Sequence, residues 1–394
     1  MGKDIKGAIV IEGHVQGLAI TRSLGEEGIP VIVIDKNNCI ARYSKYCKIY
    51  YRCPDFLDER LIPFLVNLAK ENNLYAWILF PTNDHAVYNI SKYKEHLEKY
   101  YNIITPKFEN LIKIYDKKKL LTISVSNGVN IPKSYFPDSL ALEEFDLNFP
   151  VLIKGAEGLT FFKKLGRKAY KVDSLAELRM RLGEILKVIS LEKIIIQELI
   201  SYNQNNNVLS FTAFCIDGYI KCYWIGEKIR EHPPRFGTAT FCKSVNNNRL
   251  LEISKPLLRS IGYTGVCEIE YLLDPRFNEY KILEMNARTW LWISLARLCG
   301  VNYPIIVYRY LLNVEQQYPK NYEIGVKWIH LTTDIFFFLK RKLSRVEKLQ
   351  ELRLDYNGKK EFAVFSFKDI KPFIFEMISL PYLALKRQGF QFLN

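Results

Sequence analysis

Short apolar runs alternate with longer amphipathic stretches along the first third of the chain. The apolar runs have the length and β-branched content of buried strands, and the amphipathic stretches have the spacing of helices. Strands that alternate with helices in this way form βαβ units, whose strands pair in parallel. We therefore predict an open parallel βαβ sheet over residues 1–110, with strands at 6–11, 31–35, 76–80 and 103–105 and helices at 18–27, 56–72 and 85–100.

Polar residues follow the strands of this predicted sheet. Ligands of open parallel sheets bind beyond the carboxyl ends of the strands, which here points to residues 12–14 and 82–84. The first of these loops contains Gly13 and Gly17 but lacks the middle glycine of a dinucleotide-binding fingerprint. We therefore expect Asp35, which ends the second strand, to be a helix cap or turn residue and not a ribose ligand.

The rhythm of the chain changes after residue 111. The pattern predicts helices at 116–127 and 174–188, strands at 149–155, 169–172 and 194–200, and a hairpin of 209–216 with 219–225 around Asp217-Gly218. The strand at 149–155 is apolar but ends in Lys154. A lysine in this position is either a solvent-facing residue or a phosphate ligand.

Residues 265–288 predict a second hairpin with a turn at 274–278. Side chains two residues apart in a strand share a face. A turn centred on Phe277 places Glu270 opposite Glu284 and Glu268 opposite Asn286. One face of the hairpin therefore carries Glu268, Glu270, Glu284, Asn286 and Arg288, and the other face is apolar.

Carboxylates directly opposite each other repel, so this face needs a positive partner. Carboxylate and amide oxygens are hard ligands, which suit Mg²⁺ better than zinc. Arg288 lies one step further along and can neutralise a phosphate or a developing oxyanion. A solvent-facing strand with ordinary charges is the alternative, but the Glu/Glu-x-Asn-x-Arg arrangement favours a metal site.

Composition narrows the class of protein without identifying its ligand. Among 394 residues, 56 Lys and Arg against 42 Asp and Glu give a net charge of +14, which fits an anionic ligand, nucleic acid or an anionic membrane surface. No nucleic-acid-binding motif accompanies the charge, so we expect no nucleic acid partner. The eight cysteines form no Cys-x-x-Cys pair, and the N-terminus lacks a signal-peptide pattern. We therefore predict reduced core thiols in a cytoplasmic protein.

The hairpin resembles the Mg²⁺-binding hairpin of the ATP-grasp superfamily, in which an acid on one strand is followed by Glu-x-Asn-x-Arg on the next. Glu270, Glu284 and Asn286 match the metal ligands of that motif, and Arg288 matches its catalytic arginine. Whether Glu268 also binds metal stays open. The resemblance implies ATP and Mg²⁺ as cofactors.

Further motifs of the superfamily occur in the same order along residues 5–310. Asp116-Lys117 matches the opening of the ATP-grasp domain, and Lys154 matches the lysine before the phosphate-covering loop; both lysines are implied phosphate ligands. Gln197, Glu198, Leu199 and Ile200 match the hinge strand that receives adenine, where Glu198 is either the acceptor of the adenine amino group or a plain edge charge. The loop after Lys154 has no glycine run, so the basic residues at 163–168 can supply charge instead.

More narrowly, the chain resembles the D-aspartate-ligase-like branch, together with the carbamoyl-phosphate-synthase-like ligases, through residues 80–84 and 228–237. The second segment is basic, and its Arg230 and Arg235 flank Pro233-Pro234. Arginine holds a carboxylate bidentately, so both are candidate catalytic residues that clamp a carboxylate or phosphate in the acceptor pocket. An ordinary basic surface loop is the alternative.

The resemblance implies four parts. They are an N-terminal α/β domain at 1–110, a small ATP-grasp lobe at 111–192, a large lobe with the hairpin at 193–315, and a C-terminal helical or mixed extension at 316–394. It implies a ligase that joins a carboxylate to an amine, both small molecules, through an acylphosphate. The alternative is a peripheral membrane or polymer-associated ATP-binding protein without ligase activity, because basic and aromatic residues recur in 331–394. A homodimer stays open.

Overall fold

The structure, a computed structural model, describes residues 5–139, 142, 145–200, 207–232, 237–340 and 356–380, and the side chains of these except Leu159 and residues 336–340. Its first part is the predicted open parallel sheet, with strand order β3-β2-β1-β4-β5 and every pair parallel. The strands are β1 (Ala8–Ile11), β2 (Val31–Asp35), β3 (Cys47–Arg52), β4 (Trp77–Pro81) and β5 (Tyr101–Asn102). The helices are α1 (Val15–Glu26), α2 (Leu61–Glu71), α3 (Asp84–Lys92) and α4 (Lys94–Leu97), with a 3-10 helix at Ile40–Tyr43.

Two details of this sheet differ from the sequence prediction. The predicted strand at 103–105 was wrong, because the last strand is formed by the two residues before it. The edge strand β3 was not predicted at all. Its side chains are half-buried or exposed, so it lacks the apolar run by which the buried β1 and β2 are recognised.

The small lobe is a four-stranded antiparallel sheet of order β6-β9-β7-β8. The helix that follows Lys154 stands where the sequence predicted a loop, and the left-handed Gly166 (φ +70°) ends it. The elements are α5 (Phe108–Tyr115), α6 (Lys117–Ser126), β6 (Ser134–Tyr135), β7 (Val151–Gly155), α7 (Gly158–Leu165), β8 (Ala169–Val172), α8 (Leu175–Ile185), a 3-10 helix at Leu191–Lys193, and β9 (Ile194–Glu198).

The large lobe is a seven-stranded sheet of order β14-β13-β10-β11-β12-β15-β16, in which only the last pair is parallel. Its last two strands come from the C-terminal extension, so this extension packs on the core. The elements are β10 (Leu209–Ile216), β11 (Tyr219–His232), β12 (Thr238–Ser244), α9 (Asn248–Ile261), β13 (Gly265–Asp274), β14 (Glu279–Asn286), α10 (Ile293–Leu298), α11 (Tyr303–Leu311), β15 (Lys327–Ile329), α12 (Leu331–Lys340) and β16 (Lys360–Phe362), followed by helical residues 371–380.

A buried ion pair joins the C-terminal extension to the N-terminal domain. Asp369 accepts hydrogen bonds from Arg22 Nε at 2.9 Å, Ser44 Oγ at 2.7 Å and the backbone N–H of Lys45 at 2.8 Å. Arg22 also donates to the carbonyl of Val364 at 2.8 Å. Because both charged side chains are buried and hydrogen-bonded, we infer that this contact holds the extension in place.

The eight cysteines are free thiols, and all but the partly exposed Cys47 are buried, as predicted for core cysteines. Within the described part of the chain, no helix has both the length and the apolar character needed to cross a membrane.

Candidate active site

A cavity of about 1080 Å³ lies between the sheet of the small lobe and one face of the large sheet. Strands of both lobes line it, and Gln16 of α1 reaches it from the N-terminal domain. Residues predicted from four separate sequence motifs meet here. They are Lys117, Lys154, Gln197, Glu198, Leu199, Ile200, Glu270, Glu284, Asn286 and Arg288.

The predicted register of the second hairpin is confirmed. Glu270 pairs with Glu284, and Glu268 pairs with Asn286. The turn itself is centred half a residue earlier than predicted, since Asp274 pairs with Glu279. A bulge between Glu270 and Tyr271 restores the predicted pairing of the carboxylates, because it adds one residue to β14.

Glu268 and Glu284, two carboxylates of this face, differ in electrostatic environment. Burial, and then the charge of Glu270, raise the pKa of Glu268 to about 7. Glu268 accepts hydrogen bonds from Ser210 Oγ at 2.8 Å and Asn286 Nδ2 at 3.0 Å. Burial opposes ionisation of Glu284 as well, but the positive charges of Lys117 and Lys228 outweigh it and lower the pKa of Glu284 to about 2. Glu284 is therefore ionised at neutral pH and suited to hold a cation.

Among the residues that the structure describes, no three His, Cys, Asp or Glu side chains converge on one point as a complete metal site. Mg²⁺ is usually held by one or two carboxylates together with substrate phosphates, and not by a closed protein cage. The oxygens of Glu270, Glu284 and Asn286 on one sheet face have the chemistry that such an incomplete site requires.

Lys117 and Lys154 approach this face from the small lobe. Lys117 is the first residue of α6, and the Asp116 side chain caps this helix by accepting from the backbone N–H of Lys118 at 2.9 Å. The Nζ of Lys117 lies 3.3 Å from Glu284 Oε2. Lys154, on β7, donates to Gln197 Oε1 at 2.7 Å. Burial, and then the nearby Lys117, lower the pKa of Lys154 to about 8. Two neighbouring ammonium groups repel each other, and an anion bound between them compensates this repulsion.

Glu198 on the hinge strand β9 belongs to a charge cluster that the sequence motif did not reveal, and all of this cluster except Arg276 is buried. The Glu198 carboxylate lies 3.0 Å from Arg276 and 3.2 Å from Lys281, and both cations also contact the fully buried Asp274. The signal in the sequence was weak, because these charges lie at a hairpin turn, where charged residues are common. The Glu198 carboxylate is therefore part of an ion-pair network that joins the hinge to the hairpin tip.

Arg288 connects the hairpin to the predicted ligand edge of the parallel sheet. Its guanidinium donates to Asp84 at 2.8 and 3.1 Å and to Asn286 Oδ1 at 3.4 Å. Asp84 is the first residue of α3, which Asn83 caps through the N–H of Ala86 at 2.8 Å. The strand edge at 82–84 and the hairpin therefore meet at one side of the cavity.

The prediction that Asp35 is a turn residue is confirmed, because its carboxylate accepts from the backbone N–H groups of Gly13 and Asn37, each at 2.9 Å. It shapes the turns at the end of β1 and β2.

The structure does not bring Arg230 into the cavity. Its guanidinium forms a two-pronged ion pair with Asp334 at 2.9 and 2.8 Å and stacks on Phe241 at 4.1 Å from the ring centre. The segment is not a loop here, since β11 continues to His232, and its pairing with β12 is irregular around Arg230. Lys228 and Glu231 line the cavity instead. Arg235 lies outside the described residues.

Other lining residues were not predicted. Trp290 and Trp292 follow Arg288 with a spacing of two and pack with Trp224, the first stacked at 6.0 Å and the second edge-on at 5.3 Å. Aromatic residues directly after the Glu-x-Asn-x-Arg motif are the signal in the sequence that could have found them.

Comparison with known proteins agrees with this geometry. Residues 116–297 match the family model described as carbamoyl-phosphate synthase L chain, ATP binding domain. D-aspartate ligase of Enterococcus faecium (strain Aus0004) is 23% identical over 276 residues, which cover 66% of this chain and 65% of that protein. The match thus spans slightly less than two thirds of that relative.

Solved structures show the same fold. Biotin carboxylase from Campylobacter jejuni superposes with a TM-score of 0.64 at 17% identity, over 82% of this chain and 74% of that one. L-amino acid ligase from Bacillus licheniformis superposes with a TM-score of 0.60 at 18% identity, over 80% and 76%. The predicted fold, a parallel N-terminal sheet followed by antiparallel lobes, is therefore confirmed. The chain therefore has an ATP-grasp fold, and its residues 116–297 match the ATP-binding domain of the carbamoyl-phosphate synthase L chain family.

Proposed function

We propose that this protein is an ATP- and Mg²⁺-dependent ligase that joins a carboxylate to an amine through an acylphosphate. The observation that supports the proposal is the meeting of Lys117 and Lys154 with Glu270, Glu284 and Asn286 in one cavity between two lobes. The similarity to D-aspartate ligase, and the shared fold of L-amino acid ligase, support the same class of reaction.

In this proposal the small lobe and the hinge bind the nucleotide. Lys117 and Lys154 would contact phosphate oxygens, and residues 197–200 would border the adenine. Glu270, Glu284 and Asn286 would hold Mg²⁺, which supplies positive charge to the phosphates when it is bound. The contribution of the protein is then mainly positioning and charge neutralisation, as in other phosphoryl transfers.

The proposed reaction has two steps. A carboxylate oxygen of the first substrate attacks the γ-phosphorus of ATP, and the bond from that phosphorus to ADP breaks. The amine nitrogen of the second substrate then attacks the acyl carbon, phosphate leaves, and the nitrogen loses a proton. Arg288 is the candidate to stabilise the anionic reacting groups, because Asp84 and Asn286 orient its guanidinium at the side of the cavity.

We also propose that the protein works in the cytoplasm, because its cysteines are all free thiols and a reducing compartment preserves them.

A phosphate-release screen tests the proposal. Pairs of amino acids and other carboxylic acids are supplied with ATP and Mg²⁺, and products are identified by mass. We expect ADP and phosphate to appear in equal amounts with an amide product, and only when both a carboxylate and an amine are present. ATP binding without amide formation for every pair would favour the alternative of an ATP-binding protein without ligase activity.

A further inference from the structure

Lys228 on β11 forms an ion pair with Glu270 on β13, although a whole strand, β10, separates them. Its ammonium donates a short hydrogen bond to Glu270 Oε1. The two side chains are only 12% and 13% exposed, and both line the cavity. A lysine is thus inserted among the carboxylates that we propose as metal ligands.

Small residues on β10 and β11 lie beside this ion pair. Ser210 of β10 pairs with Glu270 on one side and with Gly226 on the other. Lys228 lies two residues beyond Gly226 and therefore points to the same face. A side chain at position 226 would collide with the ring of Trp292, since a Cβ there would lie 2.2 Å from it. Glycine at 226 thus makes room for Trp292, while the small side chain of Ser210 leaves the lysine stem room to reach Glu270.

Lys228 pairs directly with the carboxylate of Glu270, and the ammonium is the form of lysine that makes such a pair. Lys117 lies in the same way beside Glu284. Each of the two carboxylates proposed to bind metal is therefore already paired with a lysine of the protein.

We propose that Lys228 is a positioning cation: it orients Glu270 and keeps the carboxylate face a weak site for a divalent cation until a nucleotide is present. This inference rests on the proposed function. A carboxylate pair binds a divalent cation through its negative charge, which an adjacent ammonium cancels in part. Nucleotide phosphates bring negative charge back to the same place. Metal and nucleotide should therefore enter together, and not metal first.

Binding of Mn²⁺, a spectroscopic substitute for Mg²⁺, tests this without any turnover. Electron paramagnetic resonance, which detects free Mn²⁺, would measure the Mn²⁺ affinity of the wild type and of Lys228→Met without nucleotide. Calorimetry would measure the affinity of both proteins for metal-free ATP. We expect Lys228→Met to bind Mn²⁺ about tenfold more tightly or better, and metal-free ATP more weakly. Changes in opposite directions separate this role from structural damage, which would weaken both.

Two further variants complete the test. Lys221→Met removes an exposed lysine from the same strand and should leave both affinities unchanged. Lys228→Arg keeps the charge and should keep Mn²⁺ binding weak. Unchanged or weaker Mn²⁺ binding in folded Lys228→Met, or in Lys228→Gln if the first variant does not fold, would overturn the proposal. These measurements need no substrate, so their outcome is independent of whether the protein proves to be a ligase.

Discussion

Glu270 on β13 lies directly opposite Glu284 on β14, so two carboxylates share one face of the large sheet. The arrangement costs electrostatic free energy in the protein alone. The lysines that contact them, Lys228 and Lys117, come from another strand and from the small lobe. The fold thus stabilises the two carboxylates with lysines from two separate elements. A site for a cation and phosphates explains this arrangement.

The first prediction concerns this pair. Glu284→Gln should lower Mg²⁺-dependent ATP turnover by at least about a hundredfold, because a charged metal ligand is lost. The free energy of unfolding should fall by no more than about 1 kcal/mol, because the lost ion pair with Lys117 is partly exposed and the substitution also removes the repulsion between Glu284 and Glu270. Steady-state kinetics and urea unfolding measure the two quantities. Glu279→Gln, an exposed change on the same strand, is the matched control. Wild-type turnover in a folded Glu284→Gln protein would contradict the proposed metal site.

The second prediction concerns the pH dependence of ATP binding through Lys154, whose pKa is lowered to about 8. Phosphate binding requires the ammonium form, which is lost from the free protein as the pH rises through that value. ATP affinity should therefore fall by up to about tenfold per pH unit above this value, and binding there should take up a proton. Calorimetry in buffers of different ionisation enthalpy measures both effects.

Two variants check that Lys154 is the responsible group. Lys154→Arg stays charged throughout this range, so its ATP affinity should lose most of the pH dependence. Lys154→Ala should weaken ATP binding by roughly 1–3 kcal/mol at neutral pH, as for one charge-assisted hydrogen bond. An equal pH slope in wild type and Lys154→Arg would assign the effect to another group.

The third prediction separates two roles for Arg230. Its ion pair with Asp334 is buried, with 9% and 0% of the two side chains exposed. Arg230→Ala should therefore lower the free energy of unfolding by about 3 kcal/mol, because Asp334 keeps a buried charge without its main partner. Urea unfolding measures this loss. The sequence hypothesis instead expects a raised KM for the carboxylate substrate, or a lowered kcat, with little loss of stability.

Arg235 provides the comparison for Arg230. If the segment acts as the acceptor clamp, Arg235→Lys should raise the KM of the carboxylate substrate more than that of ATP, because lysine lacks the planar fork. Kinetics with a substrate from the phosphate-release screen decides this. Unchanged kcat/KM for every substrate would mean that this segment does not form the acceptor pocket, and would favour a pocket at the strand edge of residues 82–84.

The fourth prediction concerns the attachment of the C-terminal extension. Asp369→Ala should destabilise the protein by about 3–5 kcal/mol, because it leaves Arg22 buried without its carboxylate. Urea unfolding would measure the loss, and a double-mutant cycle with Ser44→Ala would measure how much of it passes through the hydroxyl contact. A loss below about 1 kcal/mol would mean that the extension is held mainly by its strands β15 and β16.

Local patterns were sufficient for much of the fold. A buried strand such as β1 is a continuous apolar run, and the alternation in residues 265–288 specified which side chains share a face. The edge strand β3 was missed because it has no buried apolar run, and the helix α7 was missed because the resemblance implies a phosphate-covering loop at that place. The bulge at Glu270 leaves only a small trace in the sequence, the apolar pair Ile282-Leu283 that interrupts the alternation, yet it places the two carboxylates opposite each other.

The environments of Lys228 and Arg230 were decided by the tertiary structure and not by the local sequence. They are two residues apart in a basic segment, and the sequence assigns them the same environment. In the structure, irregular pairing of β11 with β12 separates them, so that Lys228 lines the cavity while Arg230 pairs with Asp334. The partners of both come from distant parts of the chain, namely β13 and α12. The side chains that reach a given cavity depend on strand order and bulges, because these set which distant residues become neighbours.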